Sequence, residues 1–513
     1  RGSVTSIGSY AFSDCSGLTS VTIGGNVISI DSVAFARCDA LTSVMIEDGL
    51  TSIGDYAFQG CSVLKSISIP NSIMTIGTKV FDGCNALEFY EDYVGFYLGN
   101  DSNHYVVLFS CKGNLPSWLM LSAKIIYDEA FVGANLVGIN YADNLTSIGA
   151  SAFAGNSNME SIALPAGLIN IGEGAFSGCS SLKNIAIPDS VTSIGSNAFQ
   201  SCTSLTSITI PDSVTNIGVS AFYNCSGLRK IIVAESNPVY HSDGNCLIET
   251  ESKTLIAGCN ESVIPDDGSV TIIGDNAFSG CSLLTSLTIP DSVTSIGRGA
   301  FSDCGHIIET QNGVKYVDDW VIDCDRSVTS VQLREGTIGI ADEAFSTCSS
   351  LKSIIIPDSV TSIGDYVFSG CSGLTSVTIP DSLSSIGDSA FIYCNALIFI
   401  DDGNALYLGN DSNSYVVLYE VKDDSITSFE IRPETEVIYD NAFYGCSGLT
   451  SITIPDSVTS IGDSAFYDCS GLTSVTIGNS VTSIGDRAFT NCNGMTSVII
   501  GNSVTSIGDS AFA

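Results

Sequence analysis

The sequence predicts an α/β repeat solenoid: a coil stack with a parallel β-sheet, short helical or 3-10 turns and β-hairpin insertions. Three observations predict it. The phrase Ser457-Val-Thr-Ser-Ile461-Gly462-Asp463-Ser-Ala465-Phe466 recurs, with small changes, from Ser3 to the end of the chain. Its Phe keeps a period of 23 residues, as at Phe12, Phe35, Phe58 and Phe81, and again at Phe443, Phe466, Phe489 and Phe512. A fixed period in the twenties marks a solenoid, in which each coil buries its apolar face only by stacking on its neighbours. Apolar residues make up 44% of the chain against 14% charged, ample material for a core. One continuous domain, 1–513, follows, in place of the three or four that the length alone would imply.

Each part of a coil has a local reason, seen in residues 449–471. Leu449-x-x-Ile452-x-Ile454 reads as a short strand whose apolar residues alternate inward. Pro455-Asp456-Ser457 is a turn, and Val458-x-x-Ile461 a second extended piece. Asp463 stands where a helix N-cap is wanted, its carboxylate expected to accept from a backbone N–H just downstream. Ala465-Phe466-x-x-Cys469 then reads as one helical or 3-10 turn, with Phe466 and Cys469 on one face. Gly471 suits a left-handed exit. About 22 coils of this kind, stacked at about 4.8 Å, would make an arc on the order of 100 Å long.

Four steps between Phe markers are long: Phe81 to Phe131, Phe222 to Phe278, Phe301 to Phe345 and Phe391 to Phe443. Each reads as a degenerate coil carrying a hairpin, at about 85–127, 229–270, 306–340 and 395–439. The first and fourth are related, since Tyr97-Leu-Gly-Asn-Asp-Ser-Asn-His-Tyr-Val-Val-Leu108 matches Tyr407-Leu-Gly-Asn-Asp-Ser-Asn-Ser-Tyr-Val-Val-Leu418. Insertions on a rigid scaffold are where contact sites concentrate, and aromatic side chains are good anchors. The candidate binding residues are therefore Tyr90, Tyr93, Phe96, Tyr97, Tyr105 and Trp118 in the first insert, Trp320 in the third, and Tyr407 and Tyr415 in the fourth. The competing reading is that these rings cover the inserts' own small cores. Deleting the hairpins is expected to weaken partner binding and leave the fold intact.

The charge balance, 18 Lys+Arg against 55 Asp+Glu, excludes nucleic acid as a natural partner and disfavours anionic membrane surfaces. No apolar run is long enough to span a bilayer. Catalysis finds no support: His104, His241 and His306 lack the spacing of a triad or zinc site, and most of the chain consists of copies. The chain opens on Arg1 rather than Met, and neither end carries a polar cap. It is expected to be a piece of a longer array.

The motif Phe-x-x-Cys-x-x-Leu-x-x-Val-x-Ile-Pro-x-x-Val-x-x-Ile-Gly-x-x-Ala-Phe resembles the BspA-like leucine-rich repeats over essentially the whole chain. The resemblance implies a right-handed leucine-rich-repeat solenoid on a secreted or surface-anchored protein, and several proteins of this class are adhesins. One departure is that the Asn expected in the turn survives as Asn26 but is mostly Ser, as at Ser72, Ser190 and Ser457. An Asn ladder cannot hold these turns.

Three ladders have a functional and a plainer reading. Of the 19 cysteines, 15 lie three residues after the Phe; a redox or metal ladder competes with a repeated small buried hydrophobe. Ala134 and Asn156 replace Cys in two coils, so no bond or metal is obligatory there, and no metal site is assigned. Cys111, Cys246, Cys259 and Cys324 fall off the ladder, and Cys246 and Cys259 could face each other across a hairpin as a disulfide. Stacked Asp such as Asp365, Asp388 and Asp463 repel by roughly 0.8 kcal/mol per neighbour in water. Calcium at these acidic ladders would relieve that, whereas solvated caps need none, and no other cofactor is implied. Exposed Thr450, Ser451 and Thr453 make a hydroxyl face, or are simply good strand residues.

The expectation is a noncatalytic extracellular or cell-surface protein that binds proteins or glycans of the extracellular matrix or of other cells. The alternative is a structural subunit of an extracellular filament or coat, whose partner is itself.

Overall fold

Two short strands from most coils enter two parallel ladders, and each ladder advances by one repeat per coil. The computed structural model describes residues 3–113 and 115–513. They fall into two compact units. The first reaches Val270 and adds Asp275–Thr285 and Phe301–His306; the second comprises Thr271–Gly274, Ser286–Ala300 and Ile307–Ala513. In the first unit Ile7 stands opposite Ile30, Ile30 opposite Ile53 and Ile53 opposite Ile76. The other ladder sets Val21 against Val44 and Val44 against Ile67. The second unit repeats the pattern, with Ile354 opposite Val377 and Ile363 opposite Ile386. Period-two alternation buries Val44 and Ile46 and leaves Met45 outside.

Side chains reinforce the stack coil by coil. Phe12 and Phe35 stack at 5.0 Å, and Phe466 and Phe489 at 4.8 Å, in near-parallel planes. Most ladder thiols are buried and donate to the Phe carbonyl of the preceding coil, as Cys371 does to Phe345 O at 3.1 Å. Asn156 fills the same role with its amide, donating to Phe131 O at 2.7 Å and Phe153 O at 2.8 Å. Where an Asn ladder is missing, serines replace it: Ser190 and Ser213 each donate to a carbonyl of the coil before. Thr473 and Thr496 do the same, giving the hydroxyl face a role in coil-to-coil bonding.

The turn after the second strand is not helical, and no residue among those described lies in a helix. In residues 464–469, Tyr467 and Cys469 donate to carbonyls three residues back, whereas Ser464, Phe466 and Asp468 donate to Asp486, Ala488 and Thr490 of the next coil. Ser464 (φ 53°) and Asp468 (φ 59°) are left-handed. Positive φ at these two positions ends any 3-10 run. The α/β class and the helical turns expected from sequence are corrected to an all-strand-and-turn solenoid. Asp463 is likewise not an N-cap. Its Oδ1 accepts from the N–H of Asp486, one coil on, at 2.6 Å, and Asp440 serves Asp463 in the same way at 2.9 Å. Gly471 is not left-handed; a Cβ there would lie 2.3 Å from Ser447 O.

Each insert is a three-stranded antiparallel meander. In the first, Tyr90–Glu91, Gly95–Asn100 and Asn103–Cys111 pair in that order, and Leu108 then pairs parallel with Ile126. The fourth does the same with Ile400–Asp401, Ala405–Leu408 and Val417–Val421, placing Leu418 opposite Ile438. The third uses Glu309–Gln311, Val314–Val317 and Trp320–Cys324, with Val321 opposite Ile340. The second comprises Tyr240–Asp243, Cys246–Glu249 and Thr254–Ala257.

These meanders are partitions inside the stack. In the first unit Leu98, Val106 and Val107 pack into the core of the preceding coils, whereas Tyr97 and Leu108 pack into the core that follows. In the second unit Leu408, Val416 and Val417 face one core, and Ala405, Tyr407, Leu418 and Val421 the other. Deleting the first or fourth insert would strip a wall from two cores, so the packing argues against an intact fold after deletion.

The coil after an insert shows how the join is sealed. Within a regular stack the Ile-Gly-Asp glycine lies against the coil before it: a Cβ on Gly462 would fall 2.4 Å from Asp440 Oδ1. After the first and fourth inserts that position is Tyr127 or Tyr439. Their hydroxyls accept from the N–H of Phe81 (3.1 Å) and Phe391 (3.0 Å), while Asp128 and Asp440 Oδ2 accept from Lys79 and Ser389 N–H. Burial holds the Tyr439 hydroxyl well above its ordinary pKa, hence neutral.

Tyr439→Phe leaves the Phe391 amide without a partner and is expected to cost about 1–3 kcal/mol in chemical denaturation. Thr347 is exposed, β-branched and left-handed (φ 61°) where Gly370 stands one coil on. Thr347→Gly should therefore raise stability by about 1 kcal/mol, read as a higher denaturation midpoint.

Candidate binding surface

The first insert owes its shape to two side-chain-bonded turns. Asp92 Oδ1 accepts from the N–H groups of Val94 and Gly95, which turns Tyr90–Glu91 back onto Gly95–Asn100. Asn100 Oδ1 accepts from Ser102 and Asn103 N–H at the opposite tip, and Asn100 Nδ2 ties that tip to Ile69 O at 2.8 Å. The fourth insert repeats both devices with Asp402 and Asn410.

On this frame the rings sort by exposure. Tyr93 and Trp118 are exposed at 68% and 56%, Tyr90 and Tyr105 at 36% and 38%. Phe96 and Tyr415 are half-buried. Tyr97, Tyr407 and Trp320 are buried, which corrects their assignment as contact residues: they are core. Tyr97 meets Tyr105 edge-to-face at 4.9 Å, and burial together with the Asp92 charge pushes the Tyr97 hydroxyl pKa up.

Two residues not anticipated from the sequence complete the surface. His104 stacks on Tyr90 at 3.8 Å, and Met120 is exposed two residues from Trp118 on the strand Trp118–Leu121. The strand alternation Trp118-Leu-Met120-Leu is the signal that finds Met120. Nothing local in the sequence brings His104 to Tyr90.

The fourth insert shows why the first is open. There Arg432 lies 4.1 Å over the Tyr415 ring and is held by Asp402 through Nε and Nη2 at 3.0 and 2.7 Å. In the third insert Arg334 covers Tyr316 at 4.4 Å. Counting back from Arg432 along the matching segments, the first insert has Ser122. Tyr90, Tyr93 and His104 are likewise replaced by Ile400, Gly403 and Ser414 in the fourth. Of the exposed group, Tyr90, Tyr93 and His104 are thus particular to the first insert, and Tyr105 differs from its match Tyr415 in having no arginine over it.

Cys246 and Cys259, expected as a possible disulfide, are buried free thiols. Cys246 Sγ lies 3.7 Å from Val263 O, and Cys259 Sγ 3.7 Å from Asn245 O. Among the described residues no group of three or more His, Cys, Asp or Glu is arranged to hold a metal ion. The carboxylates of Asp128 and Asp440 are committed to backbone N–H groups on both sides. Burial raises both to about 6, against the lowering effect of those N–H groups.

The geometry defines a parallel-strand repeat solenoid with inserted β-meanders. The chain belongs to the BspA type leucine rich repeat family, whose model matches in 6 copies over residues 1–92, 124–243, 271–398 and 418–513. The stretches left between matches fall in the first, second and fourth inserts. Among solved structures, a leucine rich cell surface protein from Faecalibacterium prausnitzii is 24% identical, with 89% of this chain and 87% of that one covered and a TM-score of 0.30. A leucine-rich repeat protein from Eubacterium ventriosum is 18% identical, with 90% and 84% covered and a TM-score of 0.31. A leucine rich repeat protein from T. pallidum is 27% identical over 39% of this chain and 82% of its own, with a TM-score of 0.21. No curated protein matches the chain. No helix among the described residues is long and apolar enough to cross a membrane.

A raised carboxyl pKa favours the folded state while the group is protonated. The contribution of Asp128 and Asp440 is therefore complete below roughly pH 4, the unfolded range, and is lost as pH rises through about 6. The thermal midpoint is expected to fall from pH 5 to pH 7, and Asp440→Asn to show a shallower fall in the same scan.

Proposed function

We propose that this protein is a noncatalytic extracellular or cell-surface repeat protein that binds proteins of the extracellular matrix or of other cells through the aromatic face of its first insert. The observation that carries the reading is the exposed group Tyr90, Tyr93, His104 and Tyr105, uncovered where the related fourth insert has Arg432 over its rings. Membership of a leucine-rich-repeat family supports protein binding as the general role. The rings stand on a sheet braced from both sides, so little ordering entropy opposes binding. Tyrosine is among the residues most often dominant in interfaces. The acidic composition, net −37, favours partners with basic or apolar patches.

The test is binding of the wild-type chain and of Tyr93→Ala/Tyr105→Ala to immobilised extracellular-matrix proteins and to whole cells. Both rings are surface-exposed, so the variant should fold, as circular dichroism would check. Binding is expected to weaken at least tenfold, about 1.4 kcal/mol. Unchanged binding would move the contact to the Thr-lined strand face. Fibres of the free chain in electron microscopy, without partner binding, would replace this reading with self-assembly.

A further inference from the structure

Most ladder cysteines donate to the Phe carbonyl of the coil before them. Cys348, the ladder cysteine after the third insert, has a different neighbour. Its Sγ instead lies 2.7 Å from the Sγ of Cys324, the last residue of the strand Trp320–Cys324. Both side chains are buried, at 0% and 3% exposure.

The register explains why these two meet. Val321 pairs with Ile340, Leu108 with Ile126 and Leu418 with Ile438. Three residues beyond the first member of each pair stand Cys324, Cys111 and Val421; eight beyond the second stand Cys348, Ala134 and Cys446. In these three inserts the two positions are equivalent, and only the third carries Cys at both.

Arg326 completes the site. Its Nη1 is fixed by Cys324 O (2.8 Å) and Asp323 Oδ1 (3.0 Å), and lies 3.3 Å from Cys324 Sγ and 3.8 Å from Cys348 Sγ. A guanidinium so placed favours a thiolate, and the hydrogen bond shared with Cys324 holds the Cys348 pKa below its usual value.

We propose that Cys324 and Cys348 are a disulfide-forming site that covalently locks the third insert to the coil after it. The oxidant is a low-molecular-weight disulfide such as oxidised glutathione. The Cys348 thiolate attacks one sulfur of that disulfide, forming a mixed disulfide and releasing one thiolate. Cys324 then gives up its proton to solvent and attacks the Cys348 sulfur, expelling the second thiolate. Two protein thiols lose two electrons, and one small disulfide becomes two small thiols. Because both sulfurs are buried, exchange occurs as the insert docks or when it opens locally.

The experiment incubates the full chain with oxidised glutathione, alkylates remaining thiols in denaturant and maps the peptides. The expected result is loss of two of the 19 thiols, a 324–348 cross-linked peptide, and a thermal midpoint raised by oxidation and lowered again by a reductant. Cys348→Ala mimics the natural coil that carries Ala134; it should fold and show no midpoint response. Ala134→Cys should create a second cross-link, to Cys111. Alkylation of both Cys324 and Cys348 after oxidation, or a link confined to Cys246 and Cys259, would overturn the proposal.

Discussion

The structure depends on one constraint: every coil must hydrogen-bond to the next through its turns as well as its strands. The strands alone are short, often two residues, and could not hold the stack. The turn closes the gap by sending alternate N–H groups along the stack, as Ser464, Phe466 and Asp468 do. That alternation forces left-handed backbone at Ser464 and Asp468. It also brings coils so close that Gly462 has no room for a side chain, and it lines up the carboxylates that accept from the following coil. The strain of left-handed residues is tolerated because each sits between bonds that define its geometry.

The inserts obey the same constraint. A meander replaces a coil, so its last strand must offer the next coil a compatible ladder, and Leu108, Val321 and Leu418 each do so. The turn side is left wider, and Tyr127 or Tyr439 fills it while standing in for a missing carbonyl. The result is a rigid wall shared by two cores. A contact surface on such a wall starts pre-organised, and its composition can vary at outward positions without touching the ladder. The first and fourth inserts illustrate this: their inward Tyr97 and Tyr407 are retained, whereas the outward Tyr90, Tyr93 and His104 become Ile400, Gly403 and Ser414.

Much of this was legible in the residues. The 23-residue period fixed the coil, the two ladders and the buried Phe and Cys, and the four long steps located the inserts. The replacement of Gly by Tyr at residues 127 and 439 was visible too, although its meaning depends on the wider gap left by the meander. The candidate surface was half legible: aromatic enrichment in the first insert pointed to the right segment, yet gave Tyr97 the same weight as Tyr93.

In the regular coils the sequence by itself determined which side chains are inward, because burial in a repeat follows from spacing alone. Only the tertiary structure decided which backbone neighbour each group meets. A Phe and a Cys three residues apart share one side whether the turn is a 3-10 run or is broken by left-handed residues, so helix was the natural reading. An Asp before Ala-Phe looks the same whether it caps its own segment or bonds the next coil. Cys348 has the spacing of any ladder cysteine, and its meeting with Cys324 arises from parallel pairing across an insert. Spacing along a chain records periodicity; contacts across coils are set by register, which emerges only when the coils stack.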